Sequence, residues 1–177
     1  MAHNSEDLKL RLKNLRRENA DHRWFIPQLS LRDTLSKNAL WEALKAADVD
    51  PNHLDEIAEC IFASGINIFA VLLLTDQVGC VSKFIEMGEL YDQKLPFSLG
   101  FLEQRPWIPS AKDFFERQWE VAVPVFSRGT INKCLDERSI IPFIRDKKID
   151  KGGFGTVYEI ELDHDHQQLD GIFPSRV

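Results

Sequence analysis

The chain has 177 residues, a formal net charge of -6 at pH 7, 44% hydrophobic and 28% charged residues. Four Trp and twelve Phe supply bulky core material, so wholesale disorder is excluded and one domain, or a domain plus part of another, is expected. The acidic balance repels polyphosphate backbones and anionic lipid, which leaves a general nucleic-acid or membrane-surface role without its electrostatic drive.

Cys60, Cys80 and Cys134 are odd in number and far apart, the wrong arithmetic for a disulfide framework or a paired zinc site. A reduced, intracellular and cytoplasmic setting is expected. The N-terminus lacks the apolar stretch of a signal peptide. The most apolar run, Ile66 to Leu74, is less than half of the roughly 20 residues that a helix needs to span a bilayer, so no membrane span is expected.

In chain order, Leu8, Leu12 and Leu15 recur at helical spacing among Lys9, Arg11, Lys13, Arg16 and Arg17, a basic amphipathic helix with a narrow packing stripe. Leu31 to Leu44 predicts a second helical stretch, interrupted near Ser36, whose hydroxyl suits the cap of a new helix. Asp50 followed by Pro51 opens the next helix, which carries Leu54, Ile57, Ala58, Ile61 and Phe62 and stops at Gly65, expected there as a left-handed cap. Ile66 to Leu74, apolar on every side, belongs at the centre of a bundle. Val81, Phe84 and Ile85 predict a short helix closed near Gly88. Asp92 to Pro109 carries three prolines and Gly100 among large apolar residues and reads as an ordered loop wrapped on the bundle. Ser110 and Asp113 form an approximate capping box before Phe114, Phe115 and Trp119. Pro124 ends that helix, and Ser127 to Arg138 reads as a connector.

After the connector the texture changes to two β-prone runs, Ile140 to Ile149 and Thr156 to Leu162, separated by Lys151, Gly152, Gly153, Phe154 and Gly155. In the second run Val157, Glu159 and Glu161 alternate with Tyr158, Ile160 and Leu162, the period of a strand. Glycines without side chains let backbone N–H groups approach phosphate oxygens closely, although a glycine cluster alone serves equally as a plain hairpin turn.

The ordered string from Ile149 to Tyr158 resembles the phosphate loop G-x-G-x-x-G-x-V of eukaryotic-type protein kinases. Gly152 matches the second loop glycine, Gly155 the third, Phe154 the aromatic at the tip, and Val157 the valine that in the family packs on adenine. Asp150 replaces the first glycine, and Lys151 and Gly153 fill variable positions. The resemblance implies ATP binding by Asp150, Lys151, Gly152, Gly153, Phe154, Gly155 and Val157, with Mg as the accompanying ion and Ser or Thr hydroxyls as acceptors. The lysine of V-A-I-K and the H-R-D and D-F-G motifs do not occur, so no residue here is expected to be catalytic. Phe173 to Val177 is expected to begin a third strand, the chain stopping just before the phosphate-pairing lysine. The leader is similar, in the order of Phe84-Ile85-Glu86, Leu95-Pro96-Phe97 and Phe114 to Trp119, to regions that precede kinase domains in filamentous fungi.

The expected architecture is mainly α: a helical regulatory or interaction module over 1–126, a linker over 127–142, and over 143–177 the opening antiparallel hairpin of an incomplete kinase small lobe. The competing reading is a non-catalytic helical interaction protein in which the hairpin is a remnant. Asp163, His164, Asp165 and His166 carry metal-capable groups, but on what reads as a polar, solvated link from Asp163 to Gly171 they make a poor site, and no metal site is expected.

Overall fold

The computed structural model describes residues 3–127, 134–152 and 155–169. It is mainly helical. The helices are α1 (His3–Asn14), α2 (Gln28–Thr34), α3 (Lys37–Ala46), α4 (Leu54–Ser64), α5 (Ile66–Leu74), α6 (Val81–Glu86), α7 (Leu99–Glu103) and α8 (Ala111–Arg117). Short strands β1 (Arg17–Glu18) and β2 (Trp24–Phe25) pair antiparallel, β3 (Phe126–Ser127) pairs parallel with β6 (Gln167–Gln168), and the long hairpin joins β4 (Phe143–Gly152) to β5 (Gly155–Leu162).

The core forms around α5, whose every residue except Asn67 is buried. A helix without a polar face has to be enclosed, and α1, α4 and α8 enclose it. The start of α5 is fixed from outside the helix: the carboxylate of Asp92 accepts the N–H groups of Asn67 at 3.0 and 3.1 Å and of Ile68 at 3.1 Å. These are orphan donors of the first turn, attracted to negative charge by the helix dipole. Burial nevertheless pushes the Asp92 pKa up to about 6, against the opposing pull of the Asn67, Ile68 and Ile66 N–H groups and of Arg32.

Gly65 does stop α4, for a different reason from the one its position suggested. Its φ is -131°, so no left-handed cap forms. A Cβ there would stand 2.5 Å from Cγ of Leu90, so the absence of a side chain is what lets Leu90 seal the α4–α5 corner. Among the described residues Gly88, with φ +62°, is the left-handed glycine, and it follows the end of α6. Ser36 and Ser110 cap α3 and α8 by accepting the N–H groups of Ala39 and Asp113.

The proline-rich stretch after Asp92 is not all loop, because Ser98 caps the short α7 by accepting the N–H of Phe101. Two buried glutamines hold this region, each by pairing the N–H and the carbonyl of a single residue. Gln118 accepts the Phe97 N–H at 2.8 Å and donates to the Phe97 carbonyl at 2.9 Å. Gln77 treats Ser110 in the same way at 3.2 and 3.3 Å. A buried amide so satisfied costs little and fixes the path of an irregular segment. Phe84 anchors the aromatic core, stacked on Phe114 and edge-on to Trp107.

No single helix among the described residues is long and apolar enough to cross a membrane. The stretches Pro51–Ser64 and Ile66–Leu74 have the composition only as a pair, bent by 111°, and the second is the buried core helix. Cys60, Cys80 and Cys134 are free thiols, with Cys80 buried and Cys134 exposed.

Candidate functional site

The hairpin β4–β5 projects from the module with its apolar residues uncovered. Ile149, Val157, Tyr158 and Ile160 keep between 45% and 58% of their surface exposed, so neither face is packed as a core. The register opposes Asp150 to Val157, Lys151 to Thr156 and Gly152 to Gly155, with an irregularity between Lys148 and Asp150 that leaves Ile149 out of the pairing. Arg145 pairs with Glu161 across the strands at 3.6 Å, an exposed contact of little energetic weight.

Of the residues that the glycine motif singles out, Asp150, Lys151, Gly152, Gly155 and Val157 come together at the end of this hairpin, whereas Gly153 and Phe154 lie outside the described residues. A Cβ at Gly155 would meet nothing within 4 Å, so the described neighbours leave this glycine's backbone uncovered. The Lys151 N–H donates at 2.7 Å to the Asp150 carboxylate. That side chain, standing where the kinase pattern has glycine, therefore engages a donor that a phosphate would use and adds negative charge beside it. Asp150 thus works against a phosphate at this turn.

The base of the hairpin is built quite differently. Asn19 folds the β1–β2 turn by accepting the N–H groups of Asp21 and Arg23, and its own amide donates to the Ile141 carbonyl at 2.9 Å. Ala20 donates to the Phe143 carbonyl at 2.7 Å, and Asp163 to the Pro142 carbonyl at 2.9 Å. Arg23 reaches the carbonyls of Arg138 and Ser139. Ile140 packs with Phe25, Trp119 and Val123 in a second, small apolar cluster.

Here the expectation of a solvated link from Asp163 onward is corrected. Asp163, Asp165 and His166 are 0%, 7% and 1% exposed: Asp163 caps a 3-10 turn, His164–His166, that docks on the helical module. Asp163 Oδ2 meets Arg17 Nη1 at 2.5 Å, and its Oδ1 accepts the Asp165 N–H at 3.0 Å. Asp165 Oδ2 accepts the Ser30 hydroxyl at 3.0 Å, and His166 Nε2 accepts the Gln28 N–H at 3.3 Å. Both bonds land on the first turn of α2, which has no cap of its own because Pro27 stands before it. His166 also meets the Phe25 ring edge-on at 5.4 Å. His164, by contrast, is exposed.

Asp163, His164 and Asp165 bring one ligand atom each within 4.8 Å of one another, the arrangement a cation could use. Arg17 already supplies the positive charge: its Nη1 lies 2.5 Å from Asp163 and 3.5 Å from His164 Nδ1. Two carboxylates against one guanidinium leave the cluster net negative, but each carboxylate is already engaged, Asp163 by Arg17 and Asp165 by Ser30, which makes the turn a polar anchor for α2. The expected third strand at Phe173 to Val177 lies outside the described residues.

Comparison with family models, curated proteins and solved structures finds no match.

Proposed function

We propose that these 177 residues are the N-terminal part of an ATP-dependent protein kinase acting on Ser or Thr, with β4–β5 as the opening strands of its small lobe and the helical module as its regulatory or interaction unit. The observation that carries the reading is the placement of Gly152, Gly155 and Val157, in kinase order, at the turn of a long antiparallel hairpin with open space beside Gly155. When bound, ATP with Mg would supply the phosphoryl group. This chain's share would be to cradle the phosphates with backbone N–H groups around Lys151 to Gly155 and to offer Val157 to the base. None of the residues that neutralise phosphate charge in the family occurs in the sequence, so the chain by itself transfers no phosphoryl group.

The second reading, a non-catalytic interaction protein, is favoured by the exposure of the whole hairpin beside a helical module that already encloses its own core. Calorimetric titration with Mg-ATP weighs the two. The kinase reading expects a dissociation constant of the order of a millimolar, weakened further by Gly155→Val and improved by Asp150→Gly, which frees the Lys151 N–H. Sub-micromolar binding by this chain, or a response that ignores both substitutions, overturns it. Coding sequence beyond Val177 that runs in frame to Ala-x-Lys, H-R-D and D-F-G would establish the rest of the enzyme.

A further inference from the structure

We propose that Asp163–Gln168 is an acid-released clasp: it holds the base of the β4–β5 hairpin on the α2 end of the helical module while His166 is neutral, and lets go when the imidazole takes up a proton.

The geometry requires a neutral ring. His166 Nε2 accepts the Gln28 N–H, so it carries no hydrogen and the ring proton sits on Nδ1. A second proton on Nε2 would point at the Gln28 N–H and destroy that bond. The ring is 1% exposed, so water cannot replace what is lost. Burial is the largest influence on its pKa and lowers it; Asp163, the Pro124 carbonyl and Asp165 favour the charged ring, and Arg17 opposes it. The Pro124 carbonyl gives only weak help, because Nδ1 makes no hydrogen bond of normal geometry. The two carboxylates are already committed, Asp163 to Arg17 and Asp165 to Ser30, and the exposed His164 ring lies 2.7 Å from Asp165 Oδ1.

The sign follows from linkage. The unfolded ring titrates near 6.5 and the folded ring lower, so the unclasped state binds more protons between the two values. The clasp is intact above pH 6.5 and weakens as pH falls below it, by at most about tenfold per pH unit for one proton. Letting go would free the parallel β3–β6 pairing and the α2 N-terminus together, and with them the support on which the hairpin stands. This inference does not depend on whether the hairpin closes on a nucleotide.

The test is amide hydrogen exchange on the full chain at pH 7.5 and 5.0, corrected for the intrinsic rate, together with NMR titration of the His166 ring. Protection of Ala20, Gln28, Asp163 and His166 should fall at pH 5.0, by several-fold and by no more than about thirtyfold for one proton, in step with ring protonation, while α4 and α5 stay unchanged. His166→Gln places a non-titrating acceptor near Nε2 and should hold the clasp at both pH values, whereas His164→Gln should leave the wild-type response. A wild-type response that is flat, or that persists in His166→Gln, overturns the proposal. If that variant does not fold, loss of protection out of step with the His166 titration overturns it instead.

Discussion

Eight of the nine residues of α5 are buried, while Val157, Tyr158 and Ile160 of β5 keep roughly half their surface in water. The apolar residues of both segments are β-branched, aromatic or aliphatic, yet one segment is the centre of the molecule and the other an arm. Local preference therefore does not decide which apolar residues carry the stability. What decides is whether neighbouring elements exist to cover them. Around α5 they do. Along β4–β5 the described chain supplies only cross-strand pairs, and a two-stranded ribbon is marginal by itself. The arm persists because its base is tied to β1, α2 and β3 by hydrogen bonds and one ion pair.

The contrast can be broken most forcefully at the core. Phe69→Ala, at a site with no exposed surface, should cost about 3 to 5 kcal/mol through lost transfer energy and a residual cavity, measured by chemical denaturation. A loss below 1 kcal/mol would mean that α5 is not the centre. Gly65→Ala comes next, at about 1 to 3 kcal/mol, because the added Cβ collides with Leu90. Adding Leu90→Ala should recover part of the loss, and strict additivity of the two changes would remove the collision as the cause.

At the base, Arg17→Met leaves the buried Asp163 carboxylate without its partner. The expected cost is about 2 kcal/mol, less than the 3 to 5 of a fully buried pair because Arg17 keeps a third of its side chain in solvent. Hydrogen exchange should place the loss at Asp163 to Gln168 and leave α5 untouched.

Asp92 sharpens the comparison through pH. Its carboxyl ionises near 3.8 in the unfolded chain and near 6 when folded, so the folded state holds the proton more tightly. Its contribution is greatest below about pH 4 and is lost as pH rises through 6. Asp92→Asn keeps an acceptor without the charge, so its stability relative to wild type should rise from pH 4 to pH 7. A difference that stays constant over that range would count against the buried charge. The smallest effect belongs to the arm: Tyr158→Ser should shift stability by no more than about 0.5 kcal/mol, since half of its surface stays in water and its strand covers no core.

The sequence displayed α5, the serine caps at Ser36 and Ser110 and the two hairpin strands, because each depends on neighbours a few residues away. It misled where partners are distant in sequence. Gly65 offered its familiar role as a left-handed cap, and only the return of the chain at Leu90 shows why a side chain is excluded. Asp163 to His166 reads as polar and solvated because the groups that satisfy it, Arg17, Gln28 and Ser30, lie more than 130 residues upstream. Of the glycine-loop candidates, the order was legible, and so was the departure at Asp150. That Asp150 binds the neighbouring Lys151 N–H required the structure.

Native-state hydrogen exchange on the whole chain at pH 7.5 tests most directly the claim that a helical core carries the stability and holds an exposed arm by its base. The slowest exchange is expected in α4 and α5, intermediate protection at Ala20, Asp163 and His166, and the fastest exchange among these segments at Lys147, Lys148, Tyr158 and Glu159. Protection of Lys147, Lys148, Tyr158 and Glu159 equal to that of α5 would contradict that claim.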